Sequence, residues 1–108
     1  MPAHFVISSQ LPSTSGGLSP LGDRKTIIDT LGGMNTCPEQ PGDNVLFGPG
    51  IRLEMREGED PLKQILLSIV EEEIAWLVVA RLAKTFNWKI MDVETGDEIE
   101  FVVEDVGP

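Results

Sequence analysis

The sequence predicts an α+β fold in which a small antiparallel sheet packs on two consecutive helices, and three observations predict it. Residues 60–87, DPLKQILLSIVEEEIAWLVVARLAKTFN, form the one stretch long and apolar enough to span a core at helical spacing. Before it, residues 51–56 alternate apolar and charged side chains at the period of a half-buried strand. After it, residues 88–93 and 98–103 flank Glu94-Thr95-Gly96-Asp97, the pattern of a β-hairpin.

Within the long stretch, Asp60 suits a helix N-cap, and Pro61 suits the first helical position, where its missing N–H costs nothing. Leu62, Ile65, Leu66 and Ile69 then recur at helical spacing. Wound at about 100° per residue, the second half turns its apolar face, centred on Ala75, Val78, Val79, Leu82 and Phe86, roughly a third of a turn away from the first. Ser68-Ile69-Val70-Glu71 has capping-box spacing, with Glu71, Glu72 and Glu73 in a first turn where the helix dipole favours negative charge. The reading is a short helix at about 61–67 and a longer one at about 70–86, closed by Asn87 as a left-handed cap.

The second helix is apolar on more of its circumference than one sheet covers. Trp76, Ala80 and Ala83 widen its core face, and Leu77 lies among Glu73, Arg81 and Lys84. Such a helix is either covered by other elements or forms an interface. Trp76, Leu77, Ala80 and Arg81 are therefore the candidate contact surface, and a homodimer through this helix is expected. Residues 74–80 fall far short of the roughly 18–20 apolar residues of a membrane span, so no membrane partner is expected.

Among the strands, Ile51, Leu53 and Met55 share one face, with Arg52, Glu54 and Arg56 on the other. Gly48-Pro49-Gly50 suits a type II turn, so residues 45–47 are expected either to pair back on 51–53 or to bend away. In the hairpin, Ile99, Phe101 and Val103 alternate with acidic residues, and Gly96 can supply a positive φ. Asp92, Glu94, Asp97, Glu98, Glu100 and Glu104 form a candidate acidic face.

Residues 1–44 hold 13 of the apolar side chains and residues 45–108 hold 31, so the expected organisation is a loose Pro/Gly/Ser-rich segment followed by a compact domain. Two islands interrupt the loose part. Residues 4–7 can add an edge strand, and residues 24–31 read as a short helix with Asp23 as N-cap and Gly32 as stop. Ile27, Ile28, Leu31 and Met34 would dock that helix on the core. Residues 8–22 offer little apolar area to offset the entropy of ordering them.

Net charge is −10, mostly carried by residues 45–108, which opposes direct nucleic-acid binding through a basic patch. The single cysteine, Cys37, and an N-terminus without a basic and apolar leader point to a cytoplasmic protein. His4 and Cys37 are the only histidine and cysteine, too few for an ordinary zinc site and set in the loose segment, where pairing for catalysis needs two flexible stretches to meet. The run 92–98 lacks the glycine and glutamate positions of a calcium loop, and Gly48-Pro49-Gly50 lacks the Lys-Ser/Thr of a phosphate loop. No catalytic residue, metal or cofactor is assigned.

The functional expectation is a non-enzymatic, acidic protein-interaction module with a protein partner. The alternative is a nucleic-acid mimic that blocks a basic DNA- or RNA-binding protein through the acidic face. A small enzyme built on carboxylates and arginines, with Asp92 or Glu54 beside Arg52, ranks third.

Overall fold

The computed structural model of the chain describes residues 4–9 and 19–99. These form the expected α+β class, with one six-stranded antiparallel sheet and two helices. In chain order the elements are β1 (His4–Ser9), α1 (Arg24–Gly32), β2 (Cys37–Pro38), β3 (Val45–Gly48), β4 (Ile51–Met55), β5 (Ile65–Ile69), α2 (Glu72–Phe86) and β6 (Trp88–Asp92). The spatial order is β2-β3-β4-β5-β1-β6.

The helix expected at about 61–67 is not formed; Ile65–Ile69 is a strand instead. Ile65, Ile69 and the intervening Leu66 fit a helical repeat, but Ile65, Leu67 and Ile69 fit a period of two equally well, and a short apolar run cannot separate the two readings. The sheet separates them. Ile65, Leu67 and Ile69 are buried while Leu66 is about half exposed. Ser68 therefore caps no helix; it pairs with His4 on one side and Arg52 on the other. Asp60 does cap a helix, though not one that follows it: its Oδ1 accepts the N–H of Arg24 at the start of α1.

Residues 4–7 are also placed differently from the expected edge strand. β1 lies inside the sheet, antiparallel to β5 and β6. Since β5 and β6 both run opposite to β1, they run parallel to each other. Strands in that relation need a long crossover rather than a hairpin, and α2 is that crossover. It leaves β5, passes over the slot that β1 fills, and returns as β6.

Alternation along the strands points one set of side chains at the helices. Ile7, Leu53 and Leu67 are fully buried with Leu31 of α1 and Ala75 and Val79 of α2. Each large side chain so buried contributes about 1.5–3 kcal/mol. α1 docks on this core through Ile27 and Leu31, with Ile28 and Met34 half-buried beside them. Residues on both sides of the expected boundary at 44 thus contribute to one cluster. Among the described residues the opposite face of the sheet carries no helix, and it includes Val6, Phe47, Arg52, Glu54, Leu66 and Met91.

The turns follow the expected chemistry more closely. β3 pairs back on β4, with Gly48 opposite Ile51 and Gly50 at φ +72°. Asp23 caps α1 by accepting the Thr26 N–H at 3.1 Å. α2 starts without a side-chain cap; instead the Gly50 carbonyl accepts the Val70 and Glu71 N–H groups at 2.8 and 3.0 Å. It ends at Asn87 in the left-handed conformation, φ 56°. The hairpin after β6 begins as expected, with Met91 bridged to Glu98 and the Ile99 N–H bonded to the Ile90 carbonyl. Its remaining expected residues, 100–103, lie outside the described residues, as do 10–18 of the expected loose stretch.

Candidate interaction surfaces

α2 sets Ala75, Val79 and Leu82 onto the sheet. At about 100° per residue, Trp76 and Ala80 then fall on one flank and Ile74, Leu77 and Arg81 on the other side of the helix. Trp76 is half-buried, its ring edge-on to Phe5 at a centroid distance of 5.3 Å, and Ala80 is half-buried near it in sequence register. Leu77 and Arg81 face outward, Leu77 at 69% exposure. The four expected contact residues therefore divide: Trp76 packs against the core, Ala80 is part-buried, and Leu77 and Arg81 form surface. Val70 and Ile74, 64% and 43% exposed, join Leu77 and Arg81 to make an outer stripe beside the exposed Glu71, Glu72 and Glu73. The sequence signal for Ile74 was its spacing of three and seven residues from Leu77 and Arg81. It was masked because nearly every neighbouring position on the helix is apolar.

Asp92 turns its Oδ1 onto the backbone, accepting the N–H groups of Glu94 at 2.8 Å and Thr95 at 3.3 Å. Thr95 Oγ1 accepts the Asp97 N–H, and Gly96 at φ +76° lets the Gly96 N–H reach the Asp92 carbonyl. Asp92 thus builds the turn that displays Glu94 and Asp97. Glu98, bridged to Met91, belongs to the bare face of the sheet. Glu100 and Glu104 lie outside the described residues.

His4 comes to Ser68 rather than to Cys37. Its Nδ1 lies 3.1 Å from Ser68 Oγ across the β1–β5 ladder. Cys37 lies on the same transverse row but four strands away, roughly 19 Å at ~4.8 Å per strand. A serine–histidine pair suffices for nucleophilic chemistry only with a third group to orient the imidazole and donors to hold an oxyanion. Here Ser68 sits inside the sheet between β4 and β1, and His4 is at the first position of β1 opposite it. The Glu54 beside Arg52 that an enzyme reading would use is joined to it by a 3.3 Å ion pair, half exposed. A cleft of about 320 Å³ opens next to it, bounded by Glu54, Met55, Arg56, Glu59, Gln64 and Leu66. Its second carboxylate, Glu59, accepts the Lys63 N–H at 2.8 Å. On α1, hydrogen bonding to Asp29 and that carboxylate's charge hold Lys25 above its ordinary pKa, a surface effect on an exposed turn.

Among the described residues, no three His, Cys, Asp or Glu side chains are grouped to hold a metal ion, and no helix is long and apolar enough to cross a membrane. The fold defines a small α+β protein in which α2 bridges two parallel strands over an inserted third. Compared with models of known families, with curated proteins and with solved structures, the chain shows no significant match.

Proposed function

We propose that this chain is a non-enzymatic protein-interaction module that grips a basic partner with the outer stripe of α2. The observation that carries the reading is the line of Val70, Ile74 and Leu77, large apolar side chains left facing solvent and bordered by Glu71, Glu72 and Glu73. An apolar stripe rimmed by charge is the usual composition of a protein contact surface. The acidic rim favours a partner segment that is apolar and basic, in keeping with the net charge of −10. The exposed free thiol of Cys37 supports a reducing, cytoplasmic setting.

Affinity capture from source cells, followed by reconstitution with the purified partner, tests the proposal. Binding should be lost on Leu77→Glu and weakened on Ile74→Ala, with circular dichroism unchanged. Binding indifferent to both changes would remove α2 as the contact surface. The mimic reading keeps Glu94, Asp97 and Glu98 as its exposed carboxylates. It is favoured instead if binding collapses with rising salt, withstands Leu77→Glu, and fails when those three are neutralised.

A further inference from the structure

We propose that the bare face of the sheet is where two copies of this chain meet, face to face about a two-fold axis. This surface is separate from the α2 stripe.

The face is apolar for a solvent-facing sheet. Phe47 and Leu66 are 44% and 49% exposed, and Leu66, Val6 and Met91 are consecutive cross-strand neighbours in one row. Antiparallel sheets left open to water normally turn polar side chains outward. Six large apolar side chains are exposed among the described residues; apart from Val93, at the end of β6, they divide between this face and the α2 stripe.

Charge selects the occupant. The chain carries 18 acidic residues, yet within the six strands Glu54 is the single carboxylate on this face, and it is paired with Arg52. Lys89 adds a positive charge beside Ser8, and Glu98 stands at the outer margin. Two molecules of net charge −10 can therefore approach here without stacking carboxylates. A basic partner, for its part, gains nothing from a face bearing Arg52 and Lys89. In an isologous contact each patch meets itself, so the Arg52–Glu54 pair of one copy can face that of the other with opposite charges aligned.

Among the described residues the sheet edges are short or already paired. β2 is two residues long and includes Pro38, which cannot donate to a ladder. The outer edge of β6 is occupied by residues 97–99. Association by the sheet is thus through its face. Five strands at ~4.8 Å and five residues at ~3.3 Å give a projected area of about 400 Å². A standard interface buries about 800 Å² per partner, so the dimer should be weak and reversible at micromolar concentration.

Sedimentation of the full chain from about 1 to about 300 μM tests this. The expected result is a mass that rises with concentration from 11.8 kDa toward twice that value. Leu66→Glu should hold the protein at the monomer mass, while Leu77→Glu should leave the rise unchanged. Should Leu66→Glu fail to fold, Phe47→Asp, on another strand, takes its place. Amide shifts on dilution of the unaltered protein should concentrate at residues 6, 47, 52, 54, 66 and 91. A monomer across the whole range would overturn the proposal, as would a dimer split by Leu77→Glu or dilution shifts confined to α2.

Discussion

At Gly50 the β3–β4 turn lies so close to the start of α2 that an added Cβ would sit 2.8 Å from the Glu71 carbonyl oxygen and 3.0 Å from the Ala75 nitrogen. Both are backbone atoms and cannot swing aside, and φ there is +72°. The same residue's carbonyl accepts the Val70 and Glu71 N–H groups, fixing the chain where it enters the helix. Gly50→Ala should therefore lower unfolding stability by about 2–4 kcal/mol, read as a shifted urea midpoint at constant slope. Arg24 makes a second constraint of this kind. Its Nη1 donates to the carbonyls of Arg56 and Glu59 at 3.0 and 3.3 Å, and its Nη2 donates to Asn44 Oδ1, tying the 56–60 loop to α1. Arg24→Ala should cost about 2 kcal/mol, and Arg24→Lys should recover little, since an ammonium cannot reproduce the planar fork. Full recovery by lysine would show that charge alone matters there.

Two elements carry the architecture in ways that can be tested separately. β5 is distinguished from the expected helix by neighbouring residues with opposite fates. Leu66→Lys places a charge on the bare face and should change stability by less than about 1 kcal/mol, whereas Leu67→Lys buries a charge and should prevent folding. A helix over 61–67 with Leu62, Ile65 and Leu66 inward would give the opposite order, so thermal melts of the two variants discriminate between them. β1 is the other case. It pairs on both sides and brings Phe5 and Ile7 to the core, so a chain beginning at residue 10 should lose its cooperative transition in a calorimetric scan. Retention of that transition would mean that β5 and β6 close on each other without it.

Across the whole molecule, the surplus of acidic over basic residues sets the balance. Among the described residues two ion pairs are present, Lys25–Asp29 and Arg52–Glu54, both exposed and therefore weak. Net repulsion should then outweigh local attraction in the folded state. Raising NaCl from about 10 mM to about 0.2 M shortens the reach of charge to about 8 Å or less and should raise the melting temperature by a few degrees. A melting temperature that falls over this range would show that local pairs dominate.

The α+β class, the Gly48-Pro49-Gly50 turn, the length of α2 and its Asn87 cap were legible in the sequence because each rests on local signals. Those signals are alternation, a proline and glycine at fixed turn positions, and one long apolar run. Asp23 as the cap of α1 was legible for the same reason. The outward stripe of α2 was legible only in part: Leu77 stood out among polar neighbours, while nothing local set Val70 and Ile74 apart as exposed. What the tertiary structure decided is non-local. A five-residue apolar run at 65–69 fits two periods, and only the ladders offered by β1 and β4 made it a strand. Residues 4–7 look like an isolated island in a loose segment; they become central because α2, crossing from β5 to β6, leaves a slot one strand wide. Asp60 carries a capping signal that is real but acts on α1, a helix 36 residues earlier, across a contact that chain order does not reveal.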